Sequence, residues 1–493
     1  MWRRFTSTLA EVQHQPQPQI FPEMISNRNS LHAFSFRKPE LESFNWLTSL
    51  APCFPVKAEN ITVINEPKEF YDTLVKKCEQ AEERITFASL YLGTGKLEKN
   101  LVSVISEKLT HARGNVKLTV LLDYHRGSRG RVNSKTMLLP LLEHFKQSCR
   151  ISLYHTPYLR GLYKMLIPQR WNEIIELQHM KVYLIDNTVI VSGANLSNDY
   201  FTNRQDRYIV IEDKELADFY SNLVTVVQGF SLQLKDDGSV KLAHGSPSPD
   251  QDSRNVFIRY ARNKIERFYQ ESLDSQFDKG QKNFDSSDTW VAPLIQAGGL
   301  GIRCDSEVTK HLLSSAPTGA KIRLATGYFN ITQEYAKALV NDCQADCTLL
   351  MAHPNANGFK GARGPAGGVP DAYSLLARKF FELVESNGQS DRIKMLEYEK
   401  AGWTYHGKGL WYYPPKESLP SLTLIGSPNF GERSVKRDLE TQVAIITSNP
   451  SLRKRLHQEC ESLHEDARKP EDQFQRKIPT WVQMTVGIFR NYF

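Results

Sequence analysis

The second half of this 493-residue chain repeats a series of short motifs from the first half, in the same order. The offset between matching motifs stays close to about 230 residues. Residues 84–91, 116–123, 127–130 and 192–195 are matched by residues 321–328, 347–352, 361–364 and 426–429. Four ordered matches at a near-constant offset indicate a duplicated domain.

Each repeated unit has the pattern of an α/β domain. Residues 84–92 and 116–123 are apolar runs rich in β-branched residues, separated by a helical stretch, which predicts a parallel βαβ unit. Residues 181–185 and 188–192 flank Asp186 and Asn187, which favour a tight turn. We therefore predict an α/β fold made of two duplicated halves.

The repeat also predicts where each half begins and ends. A polar stretch containing Gly-Ser-Pro-Ser-Pro separates the halves and is interpreted as a linker or surface insertion with one helix. The predicted segments are residues 55–234 for the first half, 235–288 for the linker or insertion, 289–470 for the second half and 471–493 for an amphipathic C-terminal tail.

Residues 1–45 precede the first half and are polar and irregular. Arg3 and Arg4 come before the first acidic residue, Glu11, as in a mitochondrial presequence. The stretch rich in Gln and Pro that follows fits a disordered terminus equally well. Both interpretations stay open on the sequence alone.

Composition narrows the class of partner without choosing one. The net charge of +7 suits phosphoesters, nucleic acid or acidic lipid surfaces. Seven scattered cysteines with no C-x-x-C pair predict neither a disulfide framework nor a structural zinc site, and indicate a reducing compartment. No run of about 18 apolar residues occurs, so any membrane contact is expected to be peripheral.

The residues that carry chemistry begin with His179, Lys181 and Asp186, which form an H-x-K-x-x-x-x-D motif. Because side chains alternate along an extended strand, His179 and Lys181 face the same side. An imidazole can attack phosphorus while an ammonium neutralises its oxygens. Asn195 follows at the end of the next strand, where its amide could hold another phosphate oxygen.

The pair recurs in the second half as His406 and Lys408, followed by Asn429. One such pair is weak evidence, because a strand histidine beside a lysine is usually structural. Two pairs at the same place in a duplicated unit favour a shared active site.

These motifs resemble the signature of the phospholipase D superfamily, in which two H-x-K-x-x-x-x-D motifs are each followed by G-S-x-N. The resemblance covers nearly the whole chain from about residue 60. It implies phospholipase D-like halves, with mixed sheets flanked by helices, that meet around one phosphate. One histidine would be the covalent nucleophile and the other the general acid and base, with no metal and no cofactor required.

The sequence departs from that signature in two places. Residues 192–195 read Ser-Gly-Ala-Asn, which reverses the first two positions of the pattern. Tyr413 stands where the second motif has its Asp. If this Asp braces the local fold, its loss is tolerable, and if it tunes the histidine, the second site is weakened. Because the first motif is complete, we predict His179 as the nucleophile and His406 as the acid and base.

A carboxylate stands 11 residues after each motif asparagine, Asp206 in the first half and Glu440 in the second. A catalytic histidine needs its second ring nitrogen held, usually by such a group. The resemblance implies that these acids orient the histidines. The alternative is a surface charge paired with Arg207 or Arg437.

Two loops could bind further phosphate groups. Arg126, Arg129 and Arg131 crowd a glycine-rich turn after a strand end, where they suit a phosphate-bearing substrate or form a solvated basic loop. Gly93, Thr94 and Gly95 follow another strand as a phosphate loop would. They lack the full Walker spacing, so the nucleotide signal is weak.

Longer strings, such as residues 88–95, 126–131, 178–187 and 200–208, resemble one eukaryotic branch of the superfamily. Its members transfer the phosphatidyl group of CDP-diacylglycerol to glycerol 3-phosphate, on the route to cardiolipin, at the mitochondrial inner membrane. The resemblance implies both substrates and no nucleic acid partner. Residues 158–171 interleave aromatic, aliphatic and basic residues, a composition that fits either a patch lying on an anionic membrane or a buried connecting helix. Residues 481–493 are an apolar tail too short to span a bilayer, which predicts peripheral attachment. A hydrolase or nuclease of the same superfamily is the alternative, and a non-catalytic lipid-binding scaffold is a third.

Overall fold

Two large mixed sheets, each flanked by helices, form the fold. The computed structural model describes residues 34–160, 175–470 and 476–489. In chain order the strands are β1 (Phe54–Pro55), β2 (Ile61–Ile64), β3 (Arg84–Ala88), β4 (Lys117–Asp123), β5 (Cys149–Tyr154), β6 (Val182–Ile185), β7 (Thr188–Ser192), β8 (Arg204–Gln205), β9 (Tyr208–Glu212), β10 (Leu232–Leu234), β11 (Val240–Leu242), β12 (Thr289–Ala297), β13 (Ile302–Arg303), β14 (Lys321–Thr326), β15 (Asp346–Ala352), β16 (Ile393–Tyr398), β17 (Thr404–Tyr405), β18 (Lys408–Tyr413), β19 (Leu422–Gly426), β20 (Leu439–Thr447) and β21 (Ala467–Arg468).

Helices cover the outer faces of the sheets. They are α1 (Pro67–Gln80), α2 (Lys96–Ala112), α3 (Tyr124–Gly127), α4 (Ser134–His144), α5 (Asn198–Thr202), α6 (Lys214–Gln228), α7 (Arg254–Phe284), α8 (Cys304–Ser314), α9 (Gln333–Lys337), α10 (Val369–Ser386), α11 (Glu432–Lys436), α12 (Pro450–Glu465) and α13 (Thr480–Phe489). Short 3₁₀ helices occupy Pro39–Ser49, Ala58–Asn60, Gly298–Leu300, Pro354–Ala356 and Gly364–Gly368, and a π-helical turn occupies Ala338–Asp342.

Eight strands follow the same order in both sheets, β10 to β2 in the first and β21 to β12 in the second, which confirms the duplication; β11 and β1 are additional edge strands. The first runs β11-β10-β5-β4-β3-β6-β7-β9-β2, and the second runs β21-β16-β15-β14-β18-β19-β20-β12-β1. In each, three neighbouring strands are parallel, β3 to β5 and β14 to β16, and the hairpin that follows is antiparallel. The predicted βαβ unit, β3-α2-β4, is therefore present.

Each face of the first sheet is buried for a different reason. Along β6, β7 and β9, alternate residues such as Val182, Val191 and Ile209 belong to a core that includes the second half. The residues between them, such as Tyr183 and Ile190, belong to the separate core formed with the first half's own helices. Because side chains alternate along a strand, one face of the sheet packs in the core shared with the second half and the other face packs in the first half's own core.

One predicted segment boundary and one predicted segment type are wrong. The segment predicted to be presequence or disordered up to residue 45 belongs to the fold from residue 34, since Phe36, Leu41 and Phe44 are buried in the large core. Residues 1–33 lie outside the described residues. The predicted linker, residues 235–288, is not a surface insertion, because it supplies β11 to the first sheet and the buried face of α7 to the large core.

None of the helices in the described ranges is both long and apolar enough to span a bilayer. Most of the predicted interfacial segment, residues 158–171, falls outside the described residues. The part that is described is tied to the protein, since Leu159 is buried and the Tyr158 hydroxyl donates to the Gly299 carbonyl at 2.8 Å.

Candidate active site

Two short parallel ladders join the halves and position the histidines. In the first, the backbone N–H of His179 donates to the Leu439 carbonyl at 2.8 Å. In the second, the N–H of His406 donates to the Gln205 carbonyl at 2.7 Å, and β17 pairs with β8. The first ladder therefore places His179 next to Glu440 of the other half, and the second places His406 next to Asp206.

His179 is paired with the carboxylate of the second half. Its Nδ1 lies 2.9 Å from Oε2 of Glu440, which is fully buried. Burial, reinforced by Lys181, lowers the pKa of His179 well below its ordinary value, so its imidazole is neutral at pH 7. A carboxylate at Nδ1 keeps the proton on that nitrogen and leaves the lone pair of Nε2 for attack.

His406 is paired in the reciprocal way with Asp206 of the first half. Its Nδ1 lies 2.5 Å from Oδ2 of Asp206, and Lys408 Nζ lies 3.5 Å from the same oxygen. Burial opposes ionisation of Asp206, but Lys408 and His406 outweigh it and lower its pKa. Burial raises the pKa of Glu440, which Lys181 only partly offsets. Asp206 is therefore the more stably ionised of the two acids, and it lies beside His406.

The two lysines make the site a receptor for an anion. Lys181 and Lys408 are buried, and each ammonium donates to the carbonyl of its own motif histidine at 2.8 Å. Burial lowers the pKa of both; Lys408 further lowers that of Lys181, and both lysines lower that of His179. Two buried ammonium groups that act on the same histidine indicate a single site, in which Asp206 and Glu440 offset part of the positive charge.

The asparagines complete this receptor. The side-chain oxygens of Asn195 and Asn429 are buried and have no hydrogen-bond partner in the described part of the chain. Buried amides normally have partners, so these two residues indicate a ligand position, in which their Nδ2 groups would donate to a phosphate oxygen. The reversed Ser-Gly order of the first motif keeps its hydrogen bond, because Ser192 Oγ donates to the Arg207 carbonyl as Ser427 Oγ does to that of Thr441.

Gly193 occupies the other reversed position, where a side chain is excluded. A Cβ atom there would lie 2.4 Å from Lys408 Nζ and 2.7 Å from Asp206 Oδ1. The glycine lets the first half's backbone approach the second half's lysine closely.

The inclusion of Asp186 among the catalytic residues is wrong. Asp186 lies at the opposite end of β6 from His179, and its carboxylate accepts hydrogen bonds from the backbone N–H groups of Glu82, Glu83 and Arg84 at 2.9, 2.8 and 3.0 Å. It braces the turn before β3. Tyr413, its counterpart in the second half, instead bonds His457 of α12 through its hydroxyl at 3.1 Å.

We expect Asp186→Ala to lower the free energy of unfolding by about 2 kcal/mol, because it strands backbone donors and removes a residue suited to the positive φ of 50° at this turn. The kcat of the folded enzyme should not change. Thermal denaturation and initial rates measure the two effects separately. A large loss of kcat in fully folded Asp186→Asn protein would show that Asp186 takes part in catalysis after all.

The basic turn lies beside the segment that carries the first histidine. Asp123 caps α3 by accepting from the Arg126 N–H at 2.8 Å, and it also accepts from the Gln178 N–H at 3.2 Å. The Arg126 guanidinium stacks on Tyr91 at 3.9 Å, whereas Arg131 is exposed. Arg126 is therefore held at the turn by Tyr91 and Asp123, beside the segment that carries His179.

The glycine loop that follows β3 is not a phosphate loop. A Cβ at Gly93 would lie 2.2 Å, and one at Gly95 2.7 Å, from the oxygens of Glu98. This carboxylate is buried and accepts from the Asn198 N–H at 2.7 Å. The loop of Gly93, Thr94 and Gly95 therefore encloses the carboxylate of Glu98 in the space predicted for a phosphate.

Several residues at the site were not predicted from the sequence. The Tyr200 hydroxyl lies 3.2 Å from Nε2 of His406, and the Tyr328 ring meets the same imidazole edge-on with centroids 5.2 Å apart. Arg433 pairs with the buried Asp438 at 2.8 Å next to His179. Tyr200 occurs in one of the strings that carry the family resemblance, but its spacing predicts no role.

Three buried groups also lie close enough to bind a metal. The ligand atoms of His179, Asp438 and Glu440 are all within 4.8 Å of one another, a grouping that the sequence spacing does not predict. Glu440 and His179 already bond each other, and Asp438 is paired with Arg433. The positive charges of Arg433 and Lys181 beside these acids disfavour a divalent cation.

Comparison with known proteins places this site in a family. Residues 74–225 match the family model described as "Cardiolipin synthase, PLD-like domain". The chain is 45% identical over 479 residues to the mitochondrial CDP-diacylglycerol–glycerol-3-phosphate 3-phosphatidyltransferase of Homo sapiens, covering 91% of this chain and 86% of the human one. The enzyme of that name from Saccharomyces cerevisiae is 35% identical, covering 84% of each chain.

The fold has a solved counterpart. The crystal structure of phosphatidylserine synthase from Haemophilus influenzae aligns with a TM-score of 0.68 and 18% identity, covering 89% of this chain and 94% of that one. The shared architecture and the extended identity lead to one assignment. The chain belongs to the family of the CDP-diacylglycerol–glycerol-3-phosphate 3-phosphatidyltransferases.

Proposed function

We propose that this enzyme transfers the phosphatidyl group of CDP-diacylglycerol to glycerol 3-phosphate, giving phosphatidylglycerophosphate and CMP for phospholipid and cardiolipin biosynthesis. Identity to curated transferases over most of the chain supports the reaction. The observation that carries the mechanism is the crossed pairing of His179 with Glu440 and of His406 with Asp206. It supplies two neutral imidazoles, each oriented by a carboxylate, around a cationic pocket.

His179 is the nucleophile in this proposal, for a reason different from the one that the motif suggested. Completeness of the first motif no longer supports it, because Asp186 does not contact the histidine. Within the described residues, Nε2 of His179 has no hydrogen-bond partner, whereas Nε2 of His406 is held by Tyr200. In the first step, Nε2 of His179 forms a bond to the phosphorus of the phosphatidyl group, and the bond from that phosphorus to the oxygen of CMP breaks.

His406 handles the protons. Burial and Lys408 lower the pKa of His406, and Asp206 opposes them, so its imidazole is neutral until the anionic donor binds. The donor's phosphates and Asp206 then stabilise the imidazolium form, which gives a proton to the leaving CMP and, once neutral, accepts one from the acceptor. In the second step, a hydroxyl of glycerol 3-phosphate attacks the phosphatidyl-histidine as His406 removes its proton. Lys181, Lys408 and the two asparagine amides hold the phosphate oxygens throughout, and Arg126 is suited to the acceptor's phosphate.

One assay tests the reaction and its main alternative. Purified protein with CDP-diacylglycerol and glycerol 3-phosphate should form phosphatidylglycerophosphate. Without the acceptor, CMP release should stop after about one equivalent, since the covalent intermediate accumulates. Continued CMP release with phosphatidic acid as product would identify a hydrolase instead.

We expect chelators to leave the rate of transfer intact, because buried ammonium groups supply the charge stabilisation and the acids near His179 are already paired. The measurement is the initial rate after dialysis against EDTA, alongside metal analysis of the protein. Loss of turnover that one divalent ion restores would contradict this expectation and would point to His179, Asp438 and Glu440 as its ligands.

We also propose that the enzyme acts in the mitochondrion as a peripheral protein of the inner membrane. Relatives from Homo sapiens and Mus musculus are named as mitochondrial. The helix α13 supports the membrane contact: Val482 and Val486 are buried against α10, while Trp481 and Met484 are 48% and 66% exposed. An exposed Trp and Met on a short helix suit the interfacial zone of a bilayer.

We expect alkaline carbonate to release the enzyme from mitochondrial membranes, because α13 is too short to span a bilayer. Fractions before and after extraction are compared by immunoblot against an integral inner-membrane protein. Retention in the carbonate pellet would contradict peripheral attachment.

A further inference from the structure

A cleft of ≈390 Å³ opens between α10 and the segment that runs from the end of β14 through α9 and the π-helical turn. Its volume falls in the range of about 300–1,000 Å³ that is usual for ligand sites. Its apolar lining comes from Phe329, Ile331, Val340, Leu376, Phe380 and Leu383. No residue of the proposed catalytic constellation lines it, so the chemistry described above leaves the cleft unexplained.

The cleft begins next to the active site. Tyr328, which meets His406 edge-on, also stacks on Tyr373 of α10 at 5.4 Å. Phe329 follows Tyr328 directly and lines the cleft. An aromatic residue in contact with His406 and a residue of the cleft wall are therefore consecutive in the chain.

Exposed apolar side chains concentrate on the same side of the protein. The described residues include six large apolar side chains that are exposed, and four of them lie on α10, on α13 or beside Tyr328: Leu383, Trp481, Met484 and Phe359. Phe359 lies 5.7 Å from the Tyr328 ring, and Leu383 lines the cleft. Leu376 belongs both to the cleft and to the contact between α10 and α13, so one side chain links the cleft wall to the packing of α13.

Charge at the rim fits an anionic lipid surface. Lys337 and Lys379 line the cleft and are exposed. Neither forms an ion pair within the described ranges. Apolar walls with a cationic rim suit a fatty acyl chain that enters from a bilayer carrying negative head groups.

We propose that this cleft binds one acyl chain of the lipid donor while its phosphate lies at the two histidines. The proposal rests on the proposed function, since it assumes a donor that carries acyl chains. The chain leaves the bilayer beside α13, passes between Lys337 and Lys379, and packs against Leu376 and Phe380. Acyl binding here would hold the donor in register with the nucleophile.

The direct test is photolabelling of the full-length enzyme with CDP-diacylglycerol that carries a diazirine at the end of one acyl chain. Mass spectrometry of the digested protein should find the label on residues 329–341 or on α10, and excess unlabelled donor should prevent it. Labelling confined to other segments overturns the proposal. A cross-link between Lys379 and residues 1–33 that persists with donor present would identify a segment of the chain as the occupant and also overturn it.

A matched pair of variants tests the same proposal by kinetics. Leu383→Glu places a charge in the cleft, and Val256→Glu places one at a similarly exposed apolar position on α7. The ratio of kcat/KM for dioleoyl over dioctanoyl donor should fall about tenfold in Leu383→Glu and stay at the wild-type value in Val256→Glu. An unchanged ratio in folded Leu383→Glu contradicts the acyl site. If wild-type enzyme turns over neither donor, the proposed function fails instead.

Discussion

His179→Ala enzyme should lose phosphatidyl transfer by about 10⁴-fold or more and should form no covalent intermediate. His406→Ala enzyme should lose overall transfer by a similar factor but still release about one equivalent of CMP. The reason is the leaving group: a phosphate whose second pKa is about 6 departs with little help from an acid. The acceptor hydroxyl is far more basic, so the second step depends on the general base.

The measurement is a CMP burst with radiolabelled donor, followed by denaturation at alkaline pH to preserve the phosphorus–nitrogen bond. His406→Ala protein should carry the label and His179→Ala protein should not. The reverse pattern would show that the half lacking its motif Asp supplies the nucleophile. It would also mean that Tyr200, which holds Nε2 of His406, has to move before attack.

Replacing the two orienting acids by amides should separate the same two steps. We expect Glu440→Gln and Asp206→Asn each to lower kcat by about 10²–10⁴-fold, as is seen when a carboxylate that fixes a histidine tautomer is neutralised. Because Glu440 contacts His179, its variant should lack the CMP burst. Because Asp206 contacts His406, its variant should keep the burst and be slow in transfer to glycerol 3-phosphate.

A third buried acid provides the control. Glu459 also joins the halves, through an ion pair of 2.7 Å with the buried Arg207, but it contacts neither histidine. Glu459→Gln should lower thermal stability, since it leaves a buried guanidinium unpaired, and should leave the burst intact. If Glu440→Gln instead keeps the burst and Asp206→Asn loses it, each acid serves its own half and the crossed assignment is wrong.

The sequence was informative where signals are local and repeated. Motif order predicted the duplicated α/β fold, which the strand order confirms, because strands and their turns are encoded within short windows. The spacing also marked Asp206 and Glu440. It could not tell which histidine each acid meets, since residues 177–179 and 439–440 are brought together by packing of whole sheets across an interface.

The wrong predictions for Asp186 and for the loop at Gly93 share one cause. Asp186 and the loop at Gly93 were assigned from sequence motifs, and a motif does not say which group fills the space around it. Asp186 is satisfied by three backbone donors, and the loop surrounds Glu98. Tyr200 was missed because aromatic residues are common in cores, so only its position beside His406 marks it.

The crossed ladders also bear on the order in which this enzyme becomes active during synthesis. Chains emerge from the ribosome amino end first, and domains fold as they appear. Glu440 is synthesised 261 residues after His179, and His406 is synthesised 200 residues after Asp206. A nascent or truncated chain that ends before His406 therefore has His179 without Glu440 and Asp206 without His406. The site can form only after Glu440 has left the ribosome and the two halves have packed together.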